Sequence, residues 1–208
     1  MKIFLIAEAF ILVFALLLAV LRSLPGPVFF PIRALAIAYA DFFRGVPTIL
    51  VIALLGFGAP ALAIQGVPTS TTFWGIVSLV LIYTAYVSEV YRAGIESVHP
   101  SQEAAARSLG LTRSQALTAV VLPQAVRRVI PPLLNDFIGL QKDTALVGIL
   151  GSVEAFKQSQ IEVSADFNFT YYLVAATLFV AITIPLARLT DWLVARERGQ
   201  RAATGGAR

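Results

Sequence analysis

Cysteine is absent from this 208-residue chain, histidine occurs once, and charged residues make up only 13% of it. Without cysteine there are no disulfides, thiolate metal sites or cysteine nucleophiles. The lone imidazole, His99 beside Pro100, has no second histidine to join it, which argues against a metal site. Soluble domains carry about a quarter charged residues, so the low charge takes the chain out of the globular range. Two further absences matter. No G-x-x-x-x-G-K-[ST] pattern occurs, nor any Gly-Lys pair, so the chain cannot itself cradle ATP phosphates. No internal repeat is visible, and an inverted repeat is what a secondary transporter calls for.

What is present is hydrocarbon. The composition is 58% hydrophobic and the mean hydropathy is +0.80. A bilayer-crossing helix needs about 20 mainly apolar residues, and five segments qualify: Ile3–Leu21, Ile32–Phe57, Phe73–Val98, Val126–Leu150 and Thr170–Ala195. The first could pass for a signal peptide, but its apolar run is too long and no A-x-A site follows it. Breakers separate the spans: "SLPGPVFFP", "GFGAPALAIQGVPTST", and the polar link "SVEAFKQSQIEVSADFN" before the last. The expected fold is an all-α membrane protein of about five transmembrane helices, 1–195, followed by a basic tail, 196–208, that reads as frayed.

The formal charge of +4 is distributed unevenly. Arg22 and Arg33 flank the first link; Arg107, Arg113, Arg127 and Arg128 surround a polar block between spans three and four; Arg196, Arg198 and Arg201 lie in the tail. The second link has no Lys or Arg. The positive-inside rule then places the N-terminus outside, and the polar block and tail in the cytoplasm.

That block, "SQEAAARSLGLTRSQALTAVVLPQA", spells two short helices. Ser101 can cap the first, with Glu103 in its first turn, and Gly110 supplies the left-handed residue that ends it. Thr112 and Gln115 form a capping box for the second, and Pro123 ends or kinks it. A DNA-binding helix-turn-helix shares this cadence. Its recognition helix, "RSQALTAVV", has few side chains able to read base edges and is tethered to membrane on both sides, so nucleic acid is not the partner. The remaining reading is a docking knob for a soluble protein.

Here the residues resemble a family. "EAAARSLG" with Leu122–Pro123 downstream is similar to the EAA signature of ABC-transporter permease subunits. "FRGVPTILV", "YVSEVYRAGIESV" and "NDFIGLQKDTALVGILG" are similar to its polar amino-acid branch, and the likeness runs from Arg33 to the final span. Departures are Ser101-Gln102 where the family has Gly-Gln, and "KDTAL" where it has Lys-Asp-Thr-Ser-Leu. The resemblance implies an inner-membrane importer subunit whose loop, about 99–125, is a coupling helix seated on a separate ATPase subunit that holds ATP and Mg. Glu103 is then the partner-facing charge, Ala104 and Ala105 permit close approach, and Gly110 sets the turn. It also implies a second permease subunit, identical or a sister, an external solute-binding protein, and an amino-acid substrate. The chain itself is a transport subunit, not an enzyme. The alternative is a non-transporting membrane scaffold or sensor with a cytoplasmic docking motif.

Ionisable residues at bilayer depth mark a pathway or a partner. Glu89, Arg92 and Glu96 share one helical face in span three. In span four Asn135, Gly139 and Lys142 share one face, and Asp136 and Asp143 another. Asp41 and Arg44 lie three apart in span two. Glu89, Arg92, Asn135, Asp136 and Lys142 are the candidates for a polar cleft that passes a zwitterion; the competing role is ion pairing within the bundle. Glu8 reads as an outer-interface or dimer-contact residue.

Overall fold

The computed structural model describes the backbone of residues 2–24 and 26–205, with side chains through Arg196. Arg198 and Arg201 therefore have no described side chain, and 206–208 lie outside the described residues. Nine α-helices run in order among these residues: α1 (Lys2–Arg22), α2 (Phe30–Gly45), α3 (Thr48–Ala61), α4 (Thr71–Glu96), α5 (Pro100–Ser108), α6 (Arg113–Ala116), α7 (Leu122–Asp143), α8 (Ala155–Asp166) and α9 (Thr170–Gly205). A π-helical turn, Leu117–Val121, joins α6 to α7, and a tight 3-10 stretch, Thr144–Leu150, follows α7. No strand occurs among the described residues.

Four helical stretches are long and apolar enough to cross a bilayer: Lys2–Arg22, Thr71–Glu96, Arg113–Leu150 and Thr170–Arg196. The bent pair α2–α3 makes a fifth. The sequence suggests one continuous helix over Ile32–Phe57; instead the axes turn by 101° at Val46–Pro47. Pro47 has no N–H to donate and its ring pushes the preceding residue into extended backbone, so Val46 sits at φ −97°, ψ 132°. The carbonyl freed at the end of α2 is not abandoned: Tyr86 donates its hydroxyl to the Arg44 carbonyl at 3.4 Å.

α4 is the centre of the bundle, packed against α1, α2, α3 and α7. The buried stripe of α1 (Phe4, Ala7, Ile11, Ala15, Leu18) repeats every three or four residues and faces α4, while Leu5, Val13, Leu16 and Leu17 point outward. In lipid there is no hydrophobic drive between helices, so close approach through small residues does much of the holding. Gly94 shows this: a Cβ added there would collide with the Val129 side chain of α7. Gly94→Val is expected to cost about 1–3 kcal/mol through overpacking, read as a lower midpoint of thermal unfolding in detergent. Gly58→Ala in α3, where a Cβ meets nothing within 4 Å, serves as the neutral control.

Three other expectations are corrected. The polar link before the last span contains α8, whose Ser159 and Val163 are buried. Pro123 does not end a helix. The π turn Leu117–Val121 just before it is where the helix is distorted, and past Pro123 the chain runs on to Asp143. The last helix runs through most of the segment read as a frayed tail, since Ala, Arg, Glu and Gln favour helix.

Candidate functional site

The element between α4 and α7 begins at His99 rather than Ser101. Pro100 takes the first helical position, which sets the cap one residue before it, and the His99 ring accepts the Ser101 backbone N–H at 3.2 Å. Glu103 lies in the first turn of α5, and its carboxylate is 3.7 Å from the Arg113 guanidinium across the turn. Ala104 and Ala105 are exposed, whereas Ala106 and Ala116 are buried and hold the two short helices together. Gly110 sits at φ +91° between them. The capping box is present: Gln115 N–H to Thr112 Oγ1 at 3.3 Å, and Thr112 N–H to Gln115 Oε1 at 2.9 Å. Leu109, at 83% exposure, projects from the tip. At the base the Arg128 guanidinium donates to the Ser97 carbonyl and hydroxyl, closing the two ends of the element onto each other. α6 passes through the π turn directly into α7, so the element and α7 form one continuous helical path.

The second cluster is ionic. Glu89 accepts from Arg22 of α1 at 2.9 Å, from Arg44 of α2 at 3.0 Å and from Arg92 of its own helix at 2.7 Å; Arg92 also pairs with Glu96 at 2.6 Å. One carboxylate thus ties three helices, and Arg22, with 7% side-chain exposure, has no other carboxylate partner among the described residues. Sequence reasoning singled out Arg44 beside Asp41 and Arg22 at the first link, but it paired neither of them with Glu89. The usable signal was general: a carboxylate at bilayer depth needs counter-charges. Arg44 bonds this hub rather than Asp41, which is exposed.

The other predicted pathway residues do not converge. Asn135 and Lys142 are exposed on the outer face of α7. Asp136 turns inward, where its Oδ2 is buried without a hydrogen-bond partner, and Glu8 of α1 is the carboxylate within electrostatic reach. Asp143 accepts a hydrogen bond from Tyr83 at 3.0 Å.

Glu89 itself borders a cavity of about 300 Å³ together with Ser97, Arg128 and Pro132, and a second cavity that carries polar side chains lies elsewhere. About 210 Å³ in volume, it lies among α1, α7, α8 and α9, and a largely apolar wall that includes Phe4, Phe179 and Ile182 carries three polar side chains, Gln141, Thr144 and Glu154. Ligand pockets commonly run about 300–1,000 Å³, so this one suits a small solute. Gln141 is 5% exposed and accepts from Thr183 at 3.4 Å. The Glu154 carboxylate caps α8, accepting the Phe156 and Lys157 N–H groups at 2.8 and 2.6 Å. It keeps lone pairs for a further donor. One anion, one amide and one hydroxyl over an apolar wall can pair the ammonium of a small polar solute. These residues also went unseen in the sequence, because Glu154 fell in a segment read as a link. A larger cavity of about 680 Å³ between α1, α2 and α4 is lined by Phe10, Phe14, Leu17 and Val80 and has only Tyr39 and Thr84 as polar side chains. It has nothing to hold a charge, and burying one unpaired is costly.

Residues 11–199 match the family described as "Binding-protein-dependent transport system inner membrane component". GlnM of Bacillus subtilis (strain 168), named a probable glutamine ABC transporter permease protein, is 36% identical over 172 residues, covering 81% of this chain and 77% of that one. PatM of Vibrio harveyi, named a probable amino-acid ABC transporter permease protein, is 34% identical over 188 residues, covering 90% and 83%. The crystal structure of an amino acid ABC transporter with histidines superposes with a TM-score of 0.82 at 29% identity, over 94% of this chain and 89% of that one. An inward-facing methionine transporter, MetNI, shares the fold at a TM-score of 0.72 and 18% identity, over 94% and 91%.

Proposed function

This chain belongs to the family of binding-protein-dependent transport system inner membrane components, and from that membership we propose that it is the permease subunit of an ATP-driven importer for a polar amino acid. One observation carries the mechanism. The protruding α5–α6 element is continuous with α7, and α7 supplies Gln141 and leads into Thr144 at the polar cavity. Two ATPase subunits closing on ATP move the element, α7 transmits the displacement, and the cavity changes the side to which it opens. Glu103, Ala104, Ala105 and Gly110 form the docking surface. Glu154 pairs the solute's ammonium and the Gln141 amide its carboxylate. The Glu89 hub with Arg92 holds the α1–α2–α4 end together while α7 moves.

The polar outer face of α7 supports a second permease subunit. Asn135 and Lys142 facing lipid carry an insertion cost of a few kcal/mol for the charge alone, which a paired subunit removes. The basic links support an N-terminus outside and a cytoplasmic C-terminus in the bacterial inner membrane.

Reconstitution tests the reading. In proteoliposomes holding the permease, its ATPase and its solute-binding protein, labelled amino acid accumulates only with ATP inside and binding protein outside. Because the chain has no cysteine, Ser70→Cys and Ser164→Cys are expected to react with an impermeant thiol reagent from outside, and Ser114→Cys is not. ATPase binding without uptake assigns a scaffold or sensor instead, and external labelling at position 114 reverses the orientation.

A further inference from the structure

The turn between α8 and α9 holds a conformational cost that packing does not explain. Phe167 ends α8 with φ 56°, ψ 23° and donates its N–H to the Val163 carbonyl at 2.8 Å. This left-handed position normally takes glycine or asparagine, and a bulky side chain there is an outlier. Nothing in the bundle covers the ring, which is 81% exposed, and Phe169 two residues on is 67% exposed.

The turn is nevertheless firmly built. Asp166 accepts the Asn168 N–H at 3.0 Å and the Tyr171 hydroxyl at 3.1 Å, and Asn168 accepts the Thr170 N–H at 3.0 Å. Two rings are thus held outward by a rigid scaffold. Such strain persists only where the surroundings over-determine it, and it concentrates where something is being contacted.

The position of the turn selects the contact. α9 starts at Thr170, and Leu173, Val180 and Ile184 form an exposed apolar strip down one face of it. Phe169 directly precedes α9, accepting the Tyr172 N–H at 3.1 Å, and so stands at the head of that strip. The rings therefore stand where a bilayer-facing surface meets water, with Tyr172 against Phe169 and Phe156 at 6.3 and 5.9 Å between centroids. Phe, like Trp and Leu, buries into the boundary between headgroups and acyl chains. Glu162 and Asp166 lie on the same side and the turn's own residues carry no cation, so the surface suits zwitterionic rather than anionic headgroups.

We propose that Phe167 and Phe169 form a membrane-interface anchor, inserted into the zwitterionic lipid surface at the Thr170 end of the bundle. It fixes the depth of the α8–α9 corner, and with it the wall of the polar cavity that these helices supply.

The test uses the natural absence of cysteine. Phe167→Cys and, separately, Phe169→Cys are labelled with a polarity-sensitive fluorophore in the full-length chain, with Ser164→Cys on exposed α8 as the reference. The proteins are placed in phosphatidylcholine nanodiscs containing nitroxide lipids of shallow or deep position. Labels at 167 and 169 are expected to emit to the blue of the label at 164, with the shallow nitroxide the stronger quencher and a depth of about 5–10 Å below the headgroup boundary. Water-like emission at both positions, matching 164, overturns the anchor. Emission that turns apolar only when a solute-binding protein is added also overturns it, and assigns the turn to protein docking. Unlabelled Phe167→Asn, which suits the left-handed backbone, separates anchoring from folding. Its detergent stability is expected to hold or rise, while the label at 169 moves towards water; a label unmoved by this change removes Phe167 from the anchor.

Discussion

Replacing Gly110 by valine is expected to leave the subunit inserted but to bring solute-stimulated ATP hydrolysis down to the basal rate. The reason is backbone geometry and not crowding. A Cβ at this position meets nothing within 4 Å, yet the residue sits at φ +91°, where a β-branched side chain is strongly disfavoured. The turn that closes α5 depends on it: Gly110 donates to the Arg107 carbonyl at 3.0 Å and Leu111 to the Ala106 carbonyl at 3.3 Å. If φ turns negative the Leu111 bond breaks, the Thr112 cap swings away, and the angle between α5 and α6 is lost. Asparagine tolerates left-handed backbone, so Gly110→Asn should retain much of the coupling and serves as the control. Glu103→Lys reaches the same end by charge. It sets a cation opposite Arg113 at the dipole-positive end of α5, a local cost of about 0.3–1 kcal/mol, too little to unfold the bundle. Stimulated ATPase in proteoliposomes is expected to fall on the order of tenfold or more, equivalent to about 1.4 kcal/mol of coupling. Normal stimulation in both Gly110→Val and Glu103→Lys would remove this element as the ATPase seat.

How much of this could be read beforehand depended on sequence distance. The long apolar runs of α1, α4 and α9 and the Thr112–Gln115 box are local signals, and each is visible in a window of about 20 residues. The break at Val46–Pro47 was also local. Pro47 stood in plain view, but the apolar residues before it, interrupted only by Arg33, Asp41, Arg44 and Gly45, and the run after it gave a span of the right length, and hydropathy has no term for direction. α8 was invisible for the opposite reason: it packs against α9 and the 3-10 stretch, so its polarity read as a loop. The Ser101 cap was displaced by its neighbours, since the pair His99–Pro100 supplies both an acceptor and a ready first turn. Tertiary pairing was out of reach. Glu89 finds Arg22 and Arg44 at separations of 67 and 45 residues, and no periodicity within one helix encodes that.

The polar cavity and the outer face of α7 make opposite demands on the same transport assay. If solute passes through the cavity, Glu154→Gln removes the one charged group lining it. A hydrogen bond to a charged group contributes about 1.5–3 kcal/mol, so KM for uptake should rise on the order of tenfold to a hundredfold. The fold survives, because the amide oxygen still accepts one of the two N–H groups at the start of α8, and losing the other costs about 1 kcal/mol. Basal ATPase persists, since α5 and α6 are untouched. Glu154→Asp keeps the charge and the cap and should recover part of the affinity, which a purely structural role for Glu154 does not predict. Asn135→Leu behaves differently under this scheme. It sits on the exposed face of α7, where a polar side chain in lipid serves as glue to another helix. Its loss should lower the yield of paired permeases while uptake per assembled complex stays the same. If the pathway instead runs along the seam between two permeases, the pattern inverts: Asn135→Leu cuts uptake per complex and Glu154→Gln leaves KM unchanged. Uptake normalised to assembled transporter, measured for both variants across a range of solute concentrations, decides between the two routes, and an unchanged KM in Glu154→Gln ends the case for the cavity.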